Sequence, residues 1–463
     1  MSASATATRR FDLEAQHAFA ALSGDFNPIH VDPVAARRTL FGEPVVHGLH
    51  LVLWALDARL AAGPLPPLAN MRASFKSPVL LDRDAILTWE GDTAEIATEG
   101  RLAAEITLTP GGTGAALPAP PIGPTLPVPP PTPLTAENIG SAEGSFTATL
   151  TPDRLAPLFP ALAASGDAGL IAALLAATRI VGMHCPGLHS LFSELDLDLH
   201  TDGGGDSDTA ENEWRCGFFH PELRLAEIEM AGGGVTGTLT AFLRPSEVRQ
   251  ITADEAAARL AASGRAADAY AGRHVLVVGG SRGLGEAASK LLAAGGATVT
   301  LTYARGSAEA EAVALEIGEA GGEAIAIALD ITAALPPLPA GITDIAYFAA
   351  PKIRQGAAGG GFDADLFAEY CRFFVDGFVR LAAALPDAGL LYPSTVFVTE
   401  PEPRFAEYAA AKAAGEMLCA YLTAAAPGRR VTAPRLPRLA TDQNAAIVGP
   451  AAGDPVAALL DIL

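Results

Sequence analysis

The chain has 463 residues, enough at ~100 to 200 residues per domain for two to four separate cores. Its 31 Lys and Arg against 52 Asp and Glu leave a net charge of −21, which excludes binding to nucleic acid or an anionic membrane surface. Apolar residues make up 50% and charged residues 18%, and the glycines and prolines are clustered, not periodic, so disorder and collagen-like repeats are excluded too. Cys185, Cys216, Cys371 and Cys419 lie far apart without a CxxC pair, so neither a metal site nor a disulfide framework is expected, and a reducing cytoplasm fits best. The N-terminal stretch MSASATATRRFDLEAQ has no signal-peptide core, and no apolar run reaches ~18 residues unbroken; the expectation is a soluble, untargeted protein.

A helix is predicted from Asp12 to Leu22, followed by a loop with Gly24, Asn27 and Pro28, then by an apolar helix from Val46 to Leu60. In that second helix Val46, Leu49, Leu53, Leu56 and Leu60 recur at helical spacing, and Gly63 supplies a C-cap. Strand-like runs ASFKSPVLL, AILTWEG and LAAEITLTP follow, and one buried helix before antiparallel strands predicts an α+β unit whose sheet wraps the helix. Between Gly111 and Leu134 so many prolines remove backbone donors and favour extended geometry that the segment reads as an interdomain linker. From Leu134 to Glu247 the outline repeats more faintly: a helix over Ala168 to Ala177, then strands in HSLFSELDLDLH, EWRCGFFH, LRLAEIEMA and GGVTGTLTAFLR. The acidic HTDGGGDSDTAENE between them reads as a surface loop, and the similar order implies an internal duplication. From about Arg273 strands and helices alternate through HVLVVGG, ATVTLTY, EAIAIALD and DIAYFAA, which predicts an α/β, doubly wound parallel sheet.

The loop Ser23-Gly-Asp-Phe-Asn-Pro-Ile-His30-Val-Asp32 sets a carboxylate and an imidazole on one stretch stiffened by Pro28 and tied down by Asn27. Such a pair can share a water, one group taking a proton and another delivering one, as general acid–base chemistry requires. Gly48, near the head of the buried helix, lets a carbonyl approach backbone N–H groups whose dipole stabilises a developing negative charge. Taken singly, Asp25 and Asn27 read as turn caps and His30 as a packed core histidine. With the later FGEPVVHGLH in order, however, residues 8 to 110 resemble the MaoC-like, hot-dog-fold (R)-specific enoyl-thioester hydratases. The resemblance implies that Asp25 and His30 are the catalytic pair, with Asn27 and Gly48 at the substrate. His47 and His50 read as structural. The stretch GMHCPGLHSLFSE resembles a second hot-dog unit but has no GDxNPIH; His184 and His189 lack a partnered carboxylate, so a degenerate half that completes the sheet and an acyl tunnel is expected.

Val278-Gly-Gly-Ser-Arg-Gly-Leu-Gly285 follows a strand and opens a helix, an arrangement that turns a helix N-terminus toward a pyrophosphate. Residues 272 to 450 resemble the short-chain dehydrogenase/reductase family. The resemblance places Gly279, Ser281, Arg282, Gly283, Leu284 and Gly285 on the cofactor phosphates and Asp330 at the adenine. The second strand ends Leu301-Thr-Tyr-Ala-Arg305 without an acid, so Arg282 and Arg305 favour the 2′-phosphate of NADPH. Tyr408-Ala-Ala-Ala-Lys412 matches the family's pair of proton donor and pKa-lowering lysine, which also holds the nicotinamide ribose. Ser394 and Thr395, 14 and 13 residues before Tyr408, are the two candidates for the substrate-polarising hydroxyl. Phe348-Ala-Ala-Pro351 stands where the family has Asn-Asn-Ala-Gly, Val278 where it has Thr, and Phe374 where a helix Asn organises a proton relay.

The expected organisation is a hot-dog hydratase domain over 1–115, a Pro-rich linker over 116–134, a degenerate second hot-dog over 135–250 and a reductase domain over 270–463. Together these imply an α+β double hot-dog followed by a Rossmann-type sheet. The implied function is bifunctional: (R)-3-hydroxyacyl-thioester dehydratase or enoyl hydratase, plus NADPH-dependent 3-oxoacyl-thioester reductase. The implied partners are an acyl-CoA or acyl carrier protein thioester and further copies of the chain, with no metal, nucleic acid or membrane. Two alternatives stay open: a single-function reductase of another carbonyl, such as a sugar nucleotide or polyketide, and a non-catalytic acyl-thioester scaffold.

Overall fold

The computed structural model describes residues 5–112, 115–123, 129–200, 211–246, 249–354, 356, 361–441 and 452–463. Most of the acidic HTDGGGDSDTAENE stretch therefore lies outside the described residues. The chain divides into two compact units at residues 247 and 248.

The first unit opens with β1 (Ala5–Arg10), α1 (Leu13–Ser23), the short α2 (Pro28–Val31) and α3 (Pro33–Arg37), and the long α4 (Gly48–Ala62). Strands β2 (Leu68–Phe75), β3 (Asp84–Glu90), β4 (Thr93–Thr98) and β5 (Arg101–Pro110) follow. Its second half runs β6 (Glu143–Thr147), α5 (Pro152–Leu158), α6 (Pro160–Ser165), α7 (Ala168–Arg179) with a π-helical turn Ile180–His184, β7 (Ser190–Leu199), β8 (Glu211–His220), β9 (Leu225–Gly232) and β10 (Val235–Leu243). These strands form one sheet in the order β1-β3-β4-β5-β2-β7-β10-β9-β8-β6. Each half thus repeats one strand order from its outer edge to a central seam, where β2 and β7 pair antiparallel with Met71 opposite Leu197 and Ala73 opposite Leu195. All four side chains are buried, so the core runs unbroken across the seam.

Helix α4 is buried at every position from Leu49 to Leu56, which explains an apolar run on all its faces. It begins two residues later than its periodicity predicts, because Val46 still belongs to extended chain and donates to Val79 O. The strand predicted as ASFKSPVLL is displaced to Leu68–Phe75, since Pro78 cannot continue a ladder, while β1 and β4 go unpredicted. The described parts of the proline-rich segment are strapped onto the second half: Thr132 N–H donates to Met183 O, Leu150 N–H to Pro121 O, and Leu117 packs against Gly169.

The second unit carries α8 (Ala253–Ala262), β11 (His274–Val278), α9 (Gly283–Ala294), β12 (Thr298–Tyr303), α10 (Ser307–Glu319), β13 (Glu323–Ala328) and β14 (Asp344–Tyr347). After α11 (Ala364–Cys371) and α12 (Phe378–Ala384) come β15 (Gly389–Leu391), β16 (Ser394–Thr395), α13 (Ala406–Ala425), β17 (Val431–Thr432), β18 (Arg435–Leu436) and α14 (Pro455–Ile462). The main sheet has the order β13-β12-β11-β14-β15-β17, with every pair parallel, and β11 is buried along four of its five residues because helices cover both faces. Buried Lys290 bonds Glu286, Glu316 and the Ile251 carbonyl at 2.7, 2.7 and 2.9 Å, tying the chain before α8 to α9 and α10. Among the described residues no helix is long and apolar enough to cross a membrane.

Candidate active site

In the first unit the loop between α1 and α2 is built by caps. Gly24 takes the left-handed conformation that ends α1, and Asn27 caps α2 by accepting from Ile29 N–H, with Pro28 at the helix's first position. A carboxylate oxygen of Asp25 and a ring nitrogen of each of His30 and His47 lie within 4.8 Å of one another. His30 Nδ1 stands 2.8 Å from the Val45 carbonyl, which can only accept, so the neutral ring carries its proton there and leaves Nε2 as the basic nitrogen. Burial pushes the Asp25 carboxyl up to about 6 and the His30 imidazole down to about 4. Near neutrality the pair is therefore a carboxylate beside an uncharged imidazole.

The second half builds the far wall. Thr178 Oγ1 donates to Asp25 Oδ2 at 2.7 Å, and a Cβ on Gly182 would lie 2.1 Å from Asp25 Oδ1, so only glycine leaves room for the carboxylate. Asn27 Nδ2 donates to Gly182 O and Gly187 O at 2.9 and 3.0 Å, and Phe26 N–H to Met183 Sδ at 3.2 Å. Fully buried Asn27, with both polar ends used, anchors the loop and offers nothing to a substrate, contrary to the sequence expectation. His47, read as structural, is fully buried and braces the loop: its ring stacks on His30 at 3.9 Å and its Nε2 donates to Asp25 O at 3.0 Å, while Gln16 meets its Nδ1 at 2.8 Å. His50 stacks on Phe19 in the core, as expected of a packing residue. Gly48 opens α4, where its N–H has no intrahelical acceptor, and the Phe75 ring fills the space a Cβ would need. Sequence reasoning misses Gln16, which lies in α1 close to the loop, and Thr178 and Gly182, which come to the site from the second half of the unit.

In the second unit, Gly279 has φ +80° and Gly283 +59°, and a Cβ on Gly285 would lie 2.1 Å from Gly279 O. This turn lets α9 begin close against β11 and fits a dinucleotide pyrophosphate. Ser281 is part-buried in the turn, Arg282 is the N-cap residue of α9, and Leu284 packs partly against the core. Asp330 lies two residues beyond the end of β13, not at it, and accepts from Thr332 N and Oγ1 at 2.8 and 2.7 Å; Thr332 holds its carboxyl below the usual range, with Arg305 adding to the effect.

Tyr408 and Lys412 share one face of α13, and the Thr395 hydroxyl lies close enough to the Tyr408 phenol to hold its pKa down against burial. Ser394 Oγ instead donates to Glu416 at 2.6 Å, so Thr395 is the hydroxyl brought to Tyr408. The expected lowering of the Tyr408 pKa by Lys412 is not found. Burial against the Phe374 and Tyr370 rings pushes the phenol up, and the ammonium points to Pro393 O at 2.8 Å, between the faces of Phe374 and Tyr392 at 4.1 and 4.7 Å. Burial takes Lys412 down to about 7.

A family model described as MaoC like domain matches residues 3–99, and one described as short chain dehydrogenase matches residues 273–336. Residues 3–99 are a MaoC-like domain, and a short-chain dehydrogenase domain follows later in the chain. The MaoC-like domain is similar to an (R)-specific enoyl-CoA hydratase of Aeromonas caviae, 41% identical over 78 residues that make up 16% of this chain and 57% of the relative. The short-chain dehydrogenase domain is similar to a short-chain dehydrogenase/reductase homolog of Bacillus subtilis, 47% identical over 57 residues, 12% of this chain and 52% of the relative. The chain thus spans little more than half the length of either. A solved alternative dihydrofolate reductase from Brucella suis, in complex with NADP, is 24% identical and covers 35% of this chain and 71% of its own at a TM-score of 0.32, too slight a likeness to carry an argument.

Proposed function

We propose that the chain is a bifunctional acyl-thioester enzyme, with a double hot-dog (R)-3-hydroxyacyl-thioester dehydratase or enoyl hydratase in its first unit and an NADPH-dependent 3-oxoacyl-thioester reductase in its second. The observation that carries it is the convergence of Asp25 and His30 within one buried site closed by Thr178 and Gly182. Water held between the Asp25 carboxylate and His30 Nε2 gives up a proton as its oxygen bonds the β-carbon, and a proton returned from the pair completes the α-carbon. The N–H of Gly48 at the head of α4 stabilises the charge that develops on the thioester oxygen. Asp25→Asn and His30→Ala should each cut crotonyl-CoA hydration by ~10²-fold or more and leave NADPH binding intact. Retention of activity within about threefold in both variants rejects the pair as general acid and base.

In the second unit Gly279, Ser281, Arg282, Gly283, Leu284 and Gly285 would hold a dinucleotide, with Arg282 and Arg305 toward a 2′-phosphate, Asp330 toward the adenine and Lys412 toward the ribose. Such a cofactor, when bound, supplies hydride. Tyr408 then protonates the alkoxide and Thr395 orients the carbonyl. Reduction yields the 3-hydroxyacyl thioester that the first unit dehydrates, so the two chemistries are consecutive. The seal of Phe374 and Tyr392 around Lys412 favours a second reading, a cofactor-binding scaffold without turnover. NADPH consumption with a 3-oxoacyl thioester, lost in Tyr408→Phe, supports the reductase; cofactor binding without consumption supports the scaffold.

A further inference from the structure

Strand β10 ends at Leu243, and the next residue, Arg244, is a cation only 3% exposed within the first unit. Its N–H continues the ladder by donating to His189 O at 2.8 Å, and its Nη2 donates to Leu188 O at 2.6 Å. Leu188 and His189 are the two residues between Gly187, whose carbonyl accepts from Asn27, and Ser190, whose hydroxyl stands 3.3 Å from Asn27 Nδ2. Arg224, in the left-handed conformation at φ 53°, braces the far side by donating from Nε to Leu243 O at 2.6 Å and from Nη2 to Arg244 O at 3.3 Å. A chain of donors thus runs from Arg224 through Arg244 to the backbone that grips Asn27, two residues from Asp25. Arg244 also lies near enough to the His30 and His189 rings for its charge to act on both.

We propose that Arg244 is a positioning residue of the hydration site, which fixes the Leu188–His189 backbone beneath Asn27 and sets its positive charge against the His30 ring. This rests on the hydratase reading of the first unit. The role has two separable parts. The planar guanidinium holds the Leu188 carbonyl through Nη2, a geometry that an ammonium does not reproduce, whereas the charge alone is common to both side chains. The titratable or charged groups set against the His30 ring include Asp25 on its own loop, His47 at the head of α4 and Arg244. Asp25 favours the imidazolium, and Arg244 opposes it together with burial.

The test uses the full chain, with histidine ring-carbon NMR to follow titration, His30→Gln to assign the His30 signal, and steady-state hydration of crotonyl-CoA. In Arg244→Met the His30 midpoint should move up toward the ordinary 6.5, and kcat should fall about tenfold or more with KM little changed. In Arg244→Lys the midpoint should return to the wild-type position while kcat stays low, because charge is restored without the guanidinium's bond to Leu188 O. An unmoved His30 midpoint in Arg244→Met, or kcat within about twofold of wild type in both variants, overturns the proposal. Should Arg244→Met fail to fold, Arg244→Lys decides alone: a low kcat with a wild-type His30 midpoint supports it, and an unchanged kcat overturns it. If the wild type hydrates no enoyl thioester, the hydratase reading falls, and the His30 titration still reports whether Arg244 acts on that ring.

Discussion

Asp25 shows how a buried carboxylate costs the fold what it lends the site. Its pKa is raised from 3.8 to about 6, so the native state resists ionisation that the unfolded chain accepts freely. Stability therefore declines as pH rises through the window from 3.8 to about 6, and the full penalty is present above it. Asp25→Asn, neutral at every pH and still able to accept from Thr178, is expected to melt at a higher temperature than wild type near neutrality, with the gap closing in acid. Calorimetry at several pH values measures this, and an equal or lower melting temperature at neutral pH contradicts it. Thr178 works in the opposite sense, because its hydroxyl bonds the ionised form and holds the pKa down. Thr178→Val should move the acidic limb of the kcat/KM profile to higher pH, and an unmoved limb means that another group sets it. Neither Thr178 nor Gly182 could be read from the sequence as a partner of Asp25, since nothing in an apolar helix marks which residue will face a loop more than a hundred positions away.

At the scale of elements, close packing is concentrated where segments cross. Gly169 in α7 lets the proline-rich strap pass, with Leu117 Cβ only 2.5 Å from where a Cβ would stand. Gly169→Leu is expected to destabilise the first unit by ~1–3 kcal/mol through overpacking, read as a shifted urea midpoint with unchanged slope. In the second unit Lys290 joins three segments through buried bonds to Glu286, Glu316 and Ile251. Lys290→Met leaves the Glu286 carboxylate buried beside an apolar chain and should cost ~3–5 kcal/mol in chemical denaturation. Helices α1, α4 and α7 and most strands were legible in advance, the helices as apolar runs of helical length and the strands from alternation such as that of β8 and β9. The strap was not, because proline content announces extended chain without naming the surface that chain will lie on.

For the whole molecule, the separate cores of the two units predict that residues 1–247 expressed alone fold cooperatively. A cooperative melt of that fragment checks this, and a broad transition without near-UV signal refutes it. By itself the sequence determined the two kinds of unit, the capped loop and the glycine turn, because each rests on local spacing: Asp25 and His30 on one capped loop, Gly279 to Gly285 between strand and helix, Tyr408 and Lys412 on one helical face. Only the tertiary structure decided which neighbours complete those motifs. It chose Thr395 over Ser394, because Glu416 claims the serine hydroxyl, and it turned Lys412 from Tyr408 toward Pro393, because aromatic faces and a carbonyl surround the ammonium. It also made the motif-poor second half the wall of the Asp25 site, because joining β2 to β7 in one sheet carries α7 against the Asp25 loop. Such choices depend on burial and on pairings between positions far apart in the chain, which local spacing does not record.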